Sequence, residues 1–237
     1  MKNRSIIRKY SATLAMIVAF VAAFPLHACT KEQMLVEEPD CIITMTTKAS
    51  KVSFIVAGAK DVTIDWGDGK KSNENDAILD GISEWLYFNH DYSAGTTAFN
   101  IVITGNVTLL YCGGNGLTAL DVSKNTALEE LRCDHNQLTA LDVSKNATLY
   151  SLDCNSNQIK GLDVSKNTAL IVLSIVANQL TAFELNDLFK TLPDYSKTDG
   201  FGVIYISSYS GTGNPGNSDC DRSIARERGW SFMSIRQ

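Results

Sequence analysis

One stretch decides what this 237-residue chain can fold into. Residues 110–181 repeat with a period of 21: LYCGGNGLTALDVSKNTALEE, LRCDHNQLTALDVSKNATLYS, LDCNSNQIKGLDVSKNTALIV and LSIVANQLTAF. In this register Leu110, Leu131, Leu152 and Leu173 align, as do Asn115, Asn136, Asn157 and Asn178. Cys112, Cys133 and Cys154 align as well, with Ile175 in the fourth place. Self-similarity at a fixed period of this length marks a solenoid of stacked coils.

Leu110 and Cys112 flank Tyr111 at strand spacing. Asn115 falls where the chain turns inward, so the four asparagines are expected to stack as a ladder and satisfy backbone groups of neighbouring coils. Leu117, Leu120, Val122 and Leu128 line the rest of a coil. Each coil exposes an apolar side that only stacking buries. Three helical heptads would give the same period, but the DVSKNT segment is poor in helix formers.

The unit LxCxxNxLTxLDVSKNTxLxx closely resembles the short bacterial leucine-rich repeats of the internalin type, in their cysteine-ladder subgroup. The resemblance covers about 70 residues. It implies a leucine-rich-repeat fold and, more distantly, a surface adhesin that binds protein; fold alone does not carry function.

The N-terminus reads as an export signal over residues 1–28. Lys2, Arg4, Arg8 and Lys9 precede an apolar run at 12–24, too short to span a bilayer comfortably. Ala28-Cys29 resembles the end of a lipobox, which implies lipid attachment at Cys29, although His27 is unusual there. Ordinary cleavage nearby is the alternative. Removal of the signal takes the net charge from −5 to −9. An exported acidic chain is a poor partner for nucleic acid or an anionic membrane. Contact with a membrane is therefore expected through the lipid anchor only, at the outer membrane or cell surface. Residues 29–40 read as a flexible tether.

Residues 41–107 change character. CIITMTT, KVSFIVA, DVTIDW, EWLYFNH and FNIVITG are strand-like, and Gly67-Asp68-Gly69 is a hairpin signal. The DWGDG run, His90-Asp91-Tyr92 and the closing apolar strand resemble a PKD-type immunoglobulin-like module. Such modules are spacers or glycan binders, so the resemblance implies no activity. Asp65 and Asp68 read as caps of turn amides. The module is expected to pack directly on the first repeat, because a solenoid needs its first coil covered.

After residue 183 the register breaks. Residues 184–192 read as a helix stopped by Pro193, 202–207 as the last strand of the solenoid sheet, and 219–229 as a final helix. Trp230 and Phe232 are expected to close the core of this C-terminal cap, residues 184–237. Gly211, Gly213 and Gly216 spell GxGxxG, but that fingerprint needs a βαβ unit with an acidic residue after its second strand, the chain ends about 20 residues later, and Pro215 removes an amide that a phosphate would need. The loop is read as a turn.

Coils stacked about 4.8 Å apart hold parallel Cβ vectors farther apart than the roughly 3.8 Å a disulfide prefers. Cys112, Cys133 and Cys154 are thus expected to be free, buried thiols. Three stacked thiolates without a fourth ligand make a poor zinc site, and no metal or other cofactor is expected. No serine or cysteine has a nucleophile context, so the chain does not read as an enzyme.

The fold class is therefore α+β and mainly β: a sandwich at 41–107, leucine-rich repeats at 108–183 and a helical cap. Strand parity turns Glu130, Arg132 and Asp134 outward, with Ser151, Asp153 and Asn155 on the next coil and Tyr111 and Ser174 on the flanks. In-register stacking makes Arg132 and Asp153 neighbours able to pair. Together with His135 these residues form the expected binding face. Its expected partner is a protein on a host or microbial surface. The alternatives are a glycan, stacked on Trp66, Trp85 or Tyr92, and a structural role within an envelope complex.

Overall fold

A computed structural model describes residues 41–58, 61–79, 84–92, 97–208, 211 and 213–235. The export signal, Cys29 and the tether lie outside the described residues. The chain divides into two units, Met1–Val36 and Glu37–Gln237. The second is described here.

Its first six strands are β1 (Ile42–Thr47), β2 (Lys51–Ala57), β3 (Thr63–Asp65), β4 (Lys71–Asn73), β5 (Leu86–Asp91) and β6 (Phe99–Thr104). The repeats contribute β7 (Leu109–Tyr111), β8 (Leu117–Asp121), β9 (Glu130–Arg132), β10 (Ser151–Asp153) and β11 (Val172–Ser174). The remainder holds α1 (Ala182–Thr191), β12 (Gly202–Ser208), α2 (Ser223–Glu227) and β13 (Trp230–Ile235).

Two sheets account for all of these strands. One has the order β4-β3-β6-β1-β8; the other runs β13-β12-β11-β10-β9-β7-β2-β5. Neither stops at the boundary between the N-terminal strands and the repeats. The parallel ladder of the coils passes through β7 into antiparallel β2 and β5, with Val56 opposite Leu110 and Ile55 opposite Tyr111. On the other side β8 pairs antiparallel with β1, Met45 opposite Leu120. The β7 and β8 edges of the first coil thereby each meet a strand, and its apolar interior is covered.

Alternation explains the layering. β1 and β2 bury every second residue (Ile43, Met45; Val52, Phe54, Val56) and turn the others out. Phe54 of one sheet packs on Trp66 of the other at 5.5 Å between centroids, and on Phe88 at 5.8 Å. The coil interior continues this core without a break: Leu110, Leu117, Val122, Leu128 and their repeats are fully buried.

The asparagine ladder runs past the repeats at both ends. Asn136 Nδ2 donates to the carbonyls of Cys112 and Cys133, both at 3.0 Å, while its Oδ1 accepts from the amides of Asn115 and Leu117 at 3.0 and 2.9 Å. Asn157 and Asn178 repeat the pattern one coil on. At the first coil Asn115 exchanges two bonds with Ser53 of β2, 2.7 and 2.8 Å long. At the last, Asn214 donates to Ile175 O at 2.8 Å and accepts from Leu180 N. The glycine-rich loop that spells GxGxxG is thus the final rung. Gly216 is required there because a Cβ would come within 2.0 Å of the Ala182 amide.

A second ladder lies on the far side of the coil. Asn146 Nδ2 donates to the carbonyls of Val122 and Asn125, and Asn167 Nδ2 to those of Val143 and Asn146. Asn125, at its start, is fully buried with neither side-chain atom partnered.

The cap differs from its sequence reading in three respects. The first helix begins earlier, at Ala182, because Thr181 and Glu184 form a capping box. The second helix is only Ser223–Glu227 rather than residues 219–229. β12 is not the last strand, since β13 pairs parallel beyond it through Ile204 opposite Phe232. Trp230 is buried, while Phe232 is half-buried against Phe189 at 5.4 Å.

Candidate binding face

The outward residues of the eight-stranded sheet form one continuous surface. Pairing places Tyr111, Arg132, Asp153 and Ser174 in one cross-strand row. That row is longer than the repeats. It continues to Ile55 and Tyr87 on the N-terminal strands and to Tyr205 and Met233 on the cap. The adjacent row runs Leu109, Glu130, Ser151, Val172 and Val203.

Within the row the side chains choose partners that register alone does not dictate. Arg132 lies beside Asp153 but bonds along its own strand to Glu130 Oε1, through Nε at 3.1 Å and Nη2 at 2.9 Å. Its guanidinium also stands 4.3 Å from the Tyr111 ring centroid. The expected Arg132–Asp153 pair is therefore replaced by an Arg132–Glu130 pair. Asp153 instead accepts the Asn155 amide at 3.1 Å. Burial raises the Asp153 pKa, and the neighbouring Asp134 carboxylate adds to the rise against the opposing pull of that amide. Asp134 itself bonds to His135 Nδ1 at 2.8 Å.

Not every outward position is open to a partner. Arg132 and His135 are exposed; Tyr111, Glu130, Asp134, Ser151 and Asp153 are half-buried. Asn155 and Ser174 are only 5% and 6% exposed. Asn155 Nδ2 donates to Ser174 Oγ at 2.7 Å, and Asn155 Oδ1 accepts the Val176 amide, so their polar atoms are already spent. These two belong to the scaffold rather than to the face.

The N-terminal strands contribute what the repeat pattern did not show. Trp85 meets Tyr111 edge-on, centroids 5.6 Å apart. Tyr150, 39% exposed, donates to Glu130 Oε2 at 3.2 Å. Trp85, Tyr111, Arg132, Glu130 and Tyr150 thus make one aromatic and charged cluster spanning β5 to β10. Trp66 and Tyr92, expected as sugar platforms, are 1% and 6% exposed. Trp66 stacks on His90 at 4.5 Å, and the Tyr92 hydroxyl donates to the Trp66 carbonyl at 2.8 Å. Both are core residues, which leaves Trp85 as the accessible member of that trio. Asp65 and Asp68 accept the Gly67 and Lys70 amides in the β3–β4 turn, and Asp68 also meets His90 Nε2 at 2.9 Å.

Beneath the face, Cys112, Cys133 and Cys154 are free and fully buried. Burial pushes all three thiols far above their usual range, so they are neutral and inert. Among the described residues no group of three or more histidine, cysteine, aspartate or glutamate side chains is placed to hold a metal ion.

No protein-family profile and no curated protein matches the chain. Among solved structures it is similar to one titled "Functional domain of InlJ from Listeria monocytogenes includes a cysteine ladder". The identity is 34% over 33% of this chain, the TM-score is 0.32, and the match spans 19% of that chain.

Proposed function

We propose that this chain is a binding protein whose outer sheet face holds a protein partner, and that it works at a cell surface from a lipid on Cys29. The observation that carries the reading is the cluster of Trp85, Tyr111, Arg132 and Tyr150 along the eight-stranded sheet. Aromatic rings and arginine are the side chains that most often anchor protein interfaces. Tyr111 and Arg132 lie on strands paired on both sides, so little ordering entropy opposes binding there. The internalin-type character of the repeat sequence supports the same class of function.

The test is capture from surface extracts by the immobilised chain, alongside Tyr111→Ala/Arg132→Ala. A partner retained by the parent and lost by the double variant supports the proposal; one retained equally by both removes the face from it. The anchor is tested by Cys29→Ser, which is expected to release the protein from membranes or block its processing. Normal cleavage with unchanged membrane fractionation contradicts it.

A further inference from the structure

Where the parallel strands begin, the face ends in a rim with a different character. Trp85 stands just before β5, Leu109 at the start of β7, and Tyr150 just before β10. A groove of about 310 Å3 lies among them. Its walls also carry Glu84, Glu129 and Glu130. Glu130 is committed to Arg132 and Tyr150. Glu84 and Glu129 are exposed, and neither carboxylate has an ion-pair partner among the described residues. The negative field reaches the ring: Tyr150's pKa is raised by burial first, then by Glu130 and Glu129.

The rim continues as an apolar stripe. Tyr150 and Ile171 occupy the same place on successive coils, joined by the bond from Ile171 N to Tyr150 O at 2.9 Å. Phe201 directly precedes β12, one residue before Gly202, which the register sets opposite Ile171. The three are 39%, 43% and 67% exposed. Neighbouring strands lie about 4.8 Å apart, so Tyr150 and Ile171 stand side by side at that spacing. Exposed apolar side chains in a row, bordered by charge, mark an interaction surface.

Resting on the protein-binding reading above, we infer that this rim takes a basic segment of the partner. A lysine or arginine side chain enters the groove between Trp85 and Tyr150, against Glu84 and Glu129. Apolar neighbours of that residue lie along Tyr150, Ile171 and Phe201. Charge complementarity selects this occupant. The two carboxylates favour a cation, and the flanking rings add their negative faces to the attraction. An acidic segment is repelled by the same groups, and an uncharged one gains nothing from them.

The experiment uses the full chain and a short fluorescein-labelled oligolysine peptide with one central phenylalanine, followed by anisotropy. Its lysine-acetylated form, an oligoglutamate peptide and a panel of neutral oligosaccharides serve as comparisons. Glu84→Gln/Glu129→Gln is expected to weaken oligolysine binding about tenfold or more. Asp199→Asn/Glu227→Gln changes the net charge equally at exposed sites in the cap, and it is expected to leave binding unchanged. Equal weakening by both pairs means diffuse charge attraction and overturns the inference. So does binding of the acetylated peptide, or of an oligosaccharide, that the Glu84/Glu129 pair does not affect. Failure to bind the basic peptide at all overturns it as well. A captured protein that depends on Tyr111 and Arg132 but not on Glu84 and Glu129 sinks this inference while leaving the proposed function standing.

Discussion

The Arg132 guanidinium rests 4.3 Å above the ring of Tyr111 while both of its hydrogen bonds go to Glu130. Arg132 is thereby held against its neighbour strand while it stays exposed to solvent. Exposed contacts of this kind contribute about 0.5–1 kcal/mol to folding. Removing the pair is therefore expected to cost little stability.

The two asparagine ladders differ in what they satisfy. Asn136→Ala leaves buried carbonyls and amides of two coils without partners, so a loss of about 3 kcal/mol or more is expected in urea unfolding. Asn125→Ala removes a side chain whose two polar atoms bond to nothing, and no more than about 1 kcal/mol is expected. Equal losses would mean that the ladder bonds do not carry the stacking.

The thiol stack gives a chemical readout. Cys112, Cys133 and Cys154 are expected to resist alkylation in the native protein and to react once it is unfolded. Cys133→Ser places a hydroxyl without a partner in the apolar stack, and a cost of about 1–3 kcal/mol is expected. Rapid labelling of all three under native conditions would contradict their place inside the coils.

Asp153 makes a pH prediction with a definite sign. Its folded-state pKa lies above the ordinary 3.8 because burial disfavours the charge. The folded state then holds its proton longer than the unfolded state. Stability from this residue is present at low pH and falls as pH rises from about that value through the folded pKa. Asp153→Asn keeps an oxygen to accept the Asn155 amide and removes the charge. Its stability relative to the parent is expected to increase from pH 3 to pH 7 in parallel urea titrations; a gap that narrows instead would contradict the account.

How much of this was legible in the sequence depends on what set each feature. The leucine, cysteine and asparagine positions repeat, so the period alone fixed the register of β7, β9, β10 and β11. Other features were set by tertiary partners. LTALDVSKN occurs identically at 117–125 and 138–146. Yet only the first copy opens with a strand, β8, because β1 is there to pair with it. Local propensity cannot separate identical segments. Asn214 is not legible as a rung because it lies outside the 21-residue register, although it stands beside the glycines of the loop. The second ladder has a full periodic signal in Asn125, Asn146 and Asn167, but the composition of DVSKNT speaks only against a helix and does not show which way those side chains point. For the face, parity gave direction but not availability. It pointed Asn155 and Ser174 outward, and their mutual bonds then closed them. Trp85 had no signal beyond its residue type, since β5 reaches the repeats only through β2.

The most direct test of the central claim is the dissociation constant of a captured partner for the parent and for Tyr111→Ala/Arg132→Ala, with thermal unfolding measured on the same samples. The account predicts affinity at least about tenfold weaker with a melting temperature nearly unchanged. Equal affinity in a variant that melts like the parent would contradict it and move the binding site off this face.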